Sequence, residues 1–110
     1  MNVKHFIKDK LLIFEITEEV DHHIVERLRK RADYEIQRVM PQKVILDFKK
    51  VSFMDSAGIG FILGRYKTAN SFGGSLELIN VNKKLKKIFE ISGIQKIIPI
   101  MDDLKSEQTG

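Results

Sequence analysis

The sequence predicts a single α/β domain with a mixed, mostly parallel sheet of about five strands. Short apolar segments rich in β-branched residues alternate with longer amphipathic segments, as expected when helices connect parallel strands. The first two apolar segments are separated by only three residues, which predicts an antiparallel hairpin strand at the N-terminus. Because 110 residues are typical of one domain, we expect residues 1–110 to form a single unit with three to four helices.

The first half of the chain contains the hairpin, one helix and one central strand. Segments 3–7 and 11–17 are predicted to pair as the hairpin. A helix follows over residues 21–40, with Asp21 as its N-cap and Pro41 at its end. Its apolar stripe is predicted to comprise Ile24, Leu28, Ala32, Glu35 and Val39. Residues 43–48 are almost wholly apolar, which indicates a strand buried on both faces.

The second half continues the alternation of helix and strand. A second helix is predicted over residues 56–72, and Gly73 with Gly74 ends it. A strand over 75–80, a helix over 82–92 that Gly93 ends, and a last strand over 96–100 follow. The segment from about residue 102 is polar, so we expect it to be weakly structured, with one or two helical turns at most.

The charge pattern argues against nucleic-acid binding. The formal net charge is +4, but the basic residues are scattered along the chain. In residues 82–87 the lysines lie opposite Leu85, Ile88 and Phe89, as on the solvated side of an amphipathic helix. No aromatic residues alternate with these lysines to stack on bases. We therefore predict no nucleic-acid partner.

The remaining composition predicts a cytoplasmic protein without a membrane partner. The N-terminus carries charges every few residues and does not resemble a signal peptide. No apolar run approaches the roughly 20 residues that cross a bilayer. The chain has no cysteine, which excludes disulfides and thiolate metal sites and is compatible with a reducing compartment.

The stretch FMDSAGIG, residues 53–60, lies where a strand connects to a helix and approaches three enzyme motifs without matching any. Gly58, Gly60 and Gly64 are one residue out of step with the dinucleotide-binding fingerprint. The same region lacks the lysine and the glycine spacing of a phosphate-binding P-loop. Ser56 is not flanked by the glycines of a hydrolase elbow, because residue 54 is Met.

The histidines do not supply a catalytic or metal site either. Nothing in the sequence links His5, His22 or His23 to Ser56 as a base. His22 and His23 are adjacent, so on a helix they would point about 100° apart and could not easily share a metal. The sequence therefore predicts no catalytic residue, no metal and no cofactor.

The helix after FMDSAGIG has an unusual surface stripe. If it begins at Ser56, its core stripe consists of Ile59, Ile62, Leu63, Tyr66 and Ala69, and a neighbouring stripe consists of Ser56, Gly60, Gly64 and Lys67. Each glycine inside a helix destabilises it by about 1 kcal/mol relative to alanine. Local structure does not explain why two glycines are present here. Two interpretations remain: close packing against the protein's own chain, or a docking surface for a partner. Phe61 is expected on the exposed side as an apolar contact.

Asp55 and Ser56 together suggest a modification site. Asp55 is predicted to be the helix N-cap, and Ser56 lies in the first turn with its hydroxyl near solvent. The helix dipole and free amides would favour a phosphate there. Phosphorylation would add about two negative charges beside Asp55 without unfolding the domain. Ser52 lies in the preceding connection and is a much weaker candidate acceptor.

Residues 44–67, VILDFKKVSFMDSAGIGFILGRYK, resemble the core signature of STAS domains, and specifically of bacterial anti-sigma factor antagonists. EEVDHHIVERL at 18–28 resembles their first helix, and KKLKKIFEISGIQKII at 83–98 their third helix and last strand. The resemblance is greatest to the sporulation antagonists that act on the anti-sigma F factor. Two departures are the short polar C-terminus, where the family has a longer final helix, and Ala57, where some relatives have a second serine.

The resemblance implies a partner-switching regulator rather than an enzyme. In its unphosphorylated form it would bind an anti-sigma factor that is also a serine kinase, with its nucleotide, and so release a sigma factor. The kinase would inactivate it by phosphorylating Ser56, and a serine phosphatase would restore it. The implied partner-binding residues are Asp21, His22, Asp55, Ser56, Gly58, Gly60, Phe61 and Gly64. Two alternatives remain: a STAS module of another pathway, such as a stress response, or a small nucleotide- or lipid-binding STAS domain.

Overall fold

The computed structural model describes residues 1–101, and the strands within this range form one mixed sheet. They are β1 (Asn2–Phe6), β2 (Leu11–Glu15), β3 (Lys43–Asp47), β4 (Ser75–Ile79) and β5 (Ile100–Met101). The strands lie side by side in chain order. β1 is antiparallel to β2, and every later pair is parallel. The predicted five-stranded sheet with an antiparallel N-terminal hairpin is therefore confirmed.

Three α-helices connect the parallel strands in the described range: α1 (Val25–Val39), α2 (Ser56–Ser71) and α3 (Lys83–Ser92). The buried side chains of all three helices pack in one cluster with alternate residues of the central strands, so the helices cover one face of the sheet. The strand residues in this cluster are Leu12, Phe14, Val44, Leu46, Leu76 and Leu78. On the opposite face, Leu11, Ile13, Ile45 and Ile79 form a smaller cluster. β3 is buried on both faces, as predicted.

Helix α1 begins later than predicted. Asp21 is not its N-cap, because its carboxylate accepts hydrogen bonds from the amides of His23 (2.9 Å) and Ile24 (3.3 Å) in a turn that precedes the helix. The helix buries Leu28, Ala32 and Ile36. Glu35, which the predicted stripe included, is only partly buried and forms an ion pair with the more exposed Arg38. Burial of an unpaired carboxylate is costly, so the adjacent isoleucine takes the inward position.

Helices α2 and α3 end beside the glycines that the sequence predicted. α2 stops at Ser71, and Gly73 then adopts a positive φ of 85°. Asn82 caps α3 by accepting a hydrogen bond from the amide of Leu85 at 2.8 Å. Gly93 ends α3 with a φ of 81°, in the left-handed region that glycine adopts without strain.

The last strand is shorter and later than the predicted segment 96–100. Ile94–Lys96 form a 3-10 helix, and the strand pairing with β4 comprises only Ile100–Met101. Ile94 and Ile98 are buried at a spacing of four residues, so this segment packs like a continued helical turn before it becomes extended. The predictions for the tail, residues 102–110, lie outside the described residues, and a single domain over 1–110 stays a prediction.

Candidate functional site

Residues 53–60, which the sequence analysis predicted to contain the modification site, lie at the carboxyl edge of the parallel strands, where the chain passes from β3 to α2. Asp55 is extended, with φ −98° and ψ −169°, and is the N-cap of α2 as predicted. One of its carboxylate oxygens, Oδ1, accepts hydrogen bonds from the amides of Ala57 (2.9 Å) and Gly58 (3.3 Å). Ser56 follows as the first residue of the helix and is exposed. A hydroxyl is thus presented to solvent at the positive end of a 16-residue helix.

The cap of α2 is negatively charged at neutral pH. Partial desolvation raises the pKa of Asp55, but hydrogen bonds from Ala57, Gly58 and His22 outweigh this, so the pKa lies below its usual value of 3.8. A phosphate added to Ser56 would therefore lie next to a carboxylate that is already ionised.

A second loop, between β2 and α1, lies alongside the cap. Val20 and Met54 form an isolated parallel β-bridge, which joins this loop to the connection before α2. His22 then lies with its Nδ1 atom 3.6 Å from Oδ2 of Asp55, and its side chain is 70% exposed. The structure thus brings His22 beside Asp55 and Ser56. Asp21 is nearby in the chain, but its carboxylate is engaged with its own turn.

Glu19 is a site residue that the sequence analysis missed. Its carboxylate accepts hydrogen bonds from the Ser52 amide (3.0 Å), the Ser52 hydroxyl (3.1 Å) and the Phe53 amide (2.8 Å). These contacts fasten the connection before α2 to the loop after β2. Glu19 and Ser52 are 33 residues apart in the chain, and no local sequence pattern signals a contact over that separation.

An apolar groove of about 340 Å³ borders Ser56 and was also not predicted. Its walls come from the start of α2, the connection before it and the last turns of α3. Two of its apolar side chains are strongly exposed, Phe53 at 47% and Ile91 at 81%. The lining residues are Phe53, Met54, Asp55, Ser56, Ile59, Ile88, Ile91 and Ser92. Exposed apolar surface of this kind is typical of a protein-binding site.

The glycines of α2 divide into two kinds. A Cβ atom added to Gly60 or Gly64 would meet nothing within 4 Å. The interpretation that this stripe packs against the protein's own chain is therefore wrong. Gly58, by contrast, is buried, and a Cβ there would lie 2.7 Å from the Cβ of Met54. The predicted place of Gly58 on the partner-binding surface is therefore wrong; it lets α2 approach the bridged segment.

The predicted exposure of Phe61 is wrong, since this side chain is only 2% exposed. Of the predicted core stripe, Ile62 and Ala69 are buried, but Arg65 faces inward as well. The Nε atom of Arg65 lies 2.8 Å from Oδ1 of Asp33 on α1, and its guanidinium lies 5.0 Å from the ring of Phe61. Burial lowers the pKa of Arg65, which the nearby Asp33 charge opposes. With Phe61 and Arg65 facing inward, the buried side of α2 differs from the stripe that hydrophobicity alone predicts.

Comparison with known proteins identifies the family. The family model for the STAS domain matches residues 3–107. The chain belongs to the STAS domain family. An anti-sigma F factor antagonist from Paenibacillus polymyxa is 40% identical to this STAS domain over 93 residues, which cover 84% of this chain and 80% of that protein. The predicted resemblance to the sporulation type of antagonist is thereby confirmed.

Solved structures confirm the predicted STAS fold. The anti-sigma factor antagonist SpoIIAA in its unphosphorylated form matches with a TM-score of 0.80 and 25% identity, covering 98% of this chain and 93% of that one. The Bacillus cell fate determinant SpoIIAA in the phosphorylated form matches with a TM-score of 0.72 and 25% identity, covering 98% and 96%.

Two further features of this STAS domain concern its histidines and its helices. His22 and His23 lie in the turn before α1, not on a helix as assumed, and their rings are in contact at a tilt of 39° with centroids 3.9 Å apart. Within residues 1–101, no group of three or more His, Asp or Glu side chains is arranged to hold a metal ion. No helix in the same range combines the length and the apolar character that a membrane-spanning helix needs.

Proposed function

We propose that this STAS domain is an anti-sigma factor antagonist that binds an anti-sigma factor with serine kinase activity and so releases a sigma factor. The observation that carries the proposal is the exposed hydroxyl of Ser56, at the N-terminus of α2, between an apolar groove and two outward-facing glycines. The 40% identical anti-sigma F factor antagonist supports it and points to the sporulation pathway.

The docking surface, as we define it, comprises His22, Phe53, Ser56, Ile59, Gly60, Gly64 and Ile91. Its apolar part, Phe53 with Ile91, is more exposed than large apolar side chains normally are, so a partner would remove this area from water. Its glycine part leaves the backbone of α2 open to close approach. Asp55 and Asp21 act behind this surface, because both carboxylates hold backbone amides. Phe61 and Gly58 are buried and belong to the fold.

Phosphorylation of Ser56 is the proposed off-switch. The kinase, holding ATP, aligns the Oγ atom of Ser56 with the γ-phosphorus. A bond forms between Oγ and phosphorus, the bond to the leaving ADP breaks, and the hydroxyl proton passes to a base of the kinase. A serine phosphatase reverses the state by hydrolysis of the phosphoester, which returns the hydroxyl and inorganic phosphate.

The phosphate weakens docking more than it disturbs the fold. At the start of α2 the added charge faces solvent and the helix dipole, so the unbound domain tolerates it. A partner covering the groove would have to bury this charge beside the ionised Asp55. Removal of this excess negative charge from water costs several kcal/mol. Docking of the unmodified protein does not carry this cost, because the hydroxyl of Ser56 is neutral.

In this scheme the protein is a substrate and a binding module in the cytoplasm, with no catalytic residue and no cofactor of its own. The nucleotide belongs to the kinase. Nucleic acid and membrane have no role, and the basic residues solvate the helix surfaces.

The test is to incubate the protein with the anti-sigma F kinase and ATP and to locate the phosphate by mass spectrometry. We expect one phosphate, on Ser56, none on the Ser56→Ala variant, and normal labelling of the Ser52→Ala control. An anti-sigma kinase of a stress-response pathway in the same assay identifies the pathway. Phosphate on Ser52 or elsewhere, or none with either kinase, would contradict the proposed switch.

A further inference from the structure

We propose that His22 is the ionic partner of the phosphate on Ser56 and that it stabilises the doubly charged form of that phosphate. The inference rests on the proposed phosphorylation of Ser56. It assigns His22 a regulatory role in the phosphorylated state, in addition to a place on the docking surface.

The geometry brings this imidazole to the cap of α2. The two segments joined by the Val20–Met54 bridge run parallel. Two residues after the bridge, one segment reaches His22 and the other reaches Ser56. The two carboxylate oxygens of Asp55 divide their contacts. Oδ1 accepts from the amides of Ala57 and Gly58, whereas Oδ2 lies 3.6 Å from Nδ1 of His22. The imidazole is therefore held beside the residue that directly precedes Ser56.

Four other titratable groups could act on His22 or on the phosphate: Asp21, His23, Asp55 and Lys84. Asp21 directs its carboxylate to its own turn, and the ring of His23 contacts that of His22 at a tilt of 39°, with centroids 3.9 Å apart. The ammonium of Lys84 lies 5.3 Å from the centre of the Phe53 ring, which lines the groove. Asp55 is the group already paired with His22. Lys84 is thus the alternative cation for the phosphate, and the test includes it.

The chemistry follows from adding charge to this arrangement. A phosphoserine carries between one and two negative charges near neutral pH, because its second ionisation has a pKa of about 6. When it stands beside Asp55, the local negative charge rises, and a proton taken from solvent turns His22 into a cation with two N–H donors. This cation favours the dianion over the monoanion. The phosphate dianion and Asp55 then carry three negative charges against the one positive charge of His22, so a net negative charge still opposes docking. This opposition weakens as the pH falls and the phosphate takes up a proton.

The experiment uses protein in which phosphoserine is incorporated genetically at position 56, so that no kinase is needed. The phosphorus NMR signal is followed from pH 4 to 9 in the parent, His22→Gln, His23→Gln and Lys84→Gln proteins. Because an exposed cation shifts a neighbouring group modestly, we expect the titration midpoint of the parent to lie about half a unit below that of His22→Gln. His23→Gln is the matched control and should titrate like the parent, as should Lys84→Gln.

The result that would overturn the inference is an equal midpoint in the parent and His22→Gln proteins, or a larger change in Lys84→Gln or His23→Gln. A second measurement needs no variant. At pH 7, phosphorylation should move the ring resonances of His22 towards those of imidazolium and those of His23 less, and equal movement of both would oppose the inference. Failure of the kinase to phosphorylate Ser56 would refute the proposed function and leave these measurements unaffected.

Discussion

At the scale of single residues, two carboxylates determine how Ser56 is presented. Asp55 fixes the first turn of α2 from within the same segment, through the amides of Ala57 and Gly58. Glu19 fixes the preceding residues from another loop, through the amides of Ser52 and Phe53. Because hydrogen bonds to a charged acceptor are stronger than neutral ones, Glu19 acts as a positioning residue for the exposed Phe53 ring.

Glu19→Ala should loosen the docking surface while leaving the fold intact. The substitution removes the acceptor of two backbone amides, so hydrogen exchange at Ser52 and Phe53 should become faster. Kinase binding should weaken because Phe53 is no longer held in place. Glu18→Ala is the matched control, since Glu18 pairs with the N-terminal amine at 3.0 Å instead. Unchanged exchange at Phe53 in Glu19→Ala would show that Glu19 does not position the segment.

At the scale of the element, α2 has a buried side and an open side with different requirements for glycine. Gly58 needs to be small because Met54 and the Val20 carbonyl approach it closely. Gly60 and Gly64 face open space, so the fold does not require them. Their cost in helix propensity is about 1 kcal/mol each relative to alanine. The proposed docking of a partner against the backbone of α2 would account for glycine at both positions.

Gly60→Leu should therefore change stability and binding in opposite directions. Leucine is a better helix former than glycine and meets no neighbour, so the melting temperature should stay the same or rise by a few degrees. Kinase affinity should fall, because the side chain occupies the docking surface. Lys67→Leu, farther along the exposed side of α2, is the control and should bind normally. A large fall in the melting temperature of Gly60→Leu would contradict the open position of this glycine.

The sequence predicted the elements whose signals are local. Asp55 as a cap, Gly93 as a helix end and the fully buried β3 follow from residues close together in the chain. The inward side of α2 could not be derived in this way, because Arg65 is buried only in the presence of Asp33 on α1. The Glu19 contact and the groove beside Ser56 were not predicted for the same reason, because each joins segments that are distant in the sequence.

At the scale of the whole molecule, the parallel topology assembles the site. β2 and β3 are parallel neighbours, so the connections that leave their carboxyl ends emerge at the same edge of the sheet. This arrangement brings His22 to Asp55, and the last turns of α3 complete the groove beside Ser56. The core lies between the helices and the sheet, and the exposed Ser56 is not part of it. A charge placed on Ser56 can thus alter docking and leave the core unchanged.

The central claim is that one phosphate on Ser56 decides whether the partner binds. Its most direct test is calorimetric titration of the anti-sigma F kinase, with ADP, against unmodified and fully phosphorylated protein. The phosphate and Asp55 carry more negative charge than the single cation of His22 can neutralise, and burial of the excess costs several kcal/mol. Since each 1.4 kcal/mol is tenfold, we predict an affinity at least about 100-fold lower after phosphorylation. Ser56→Ala should bind like the unmodified protein, and the melting temperatures should be nearly equal. Equal affinity of the phosphorylated and unmodified forms would contradict the account.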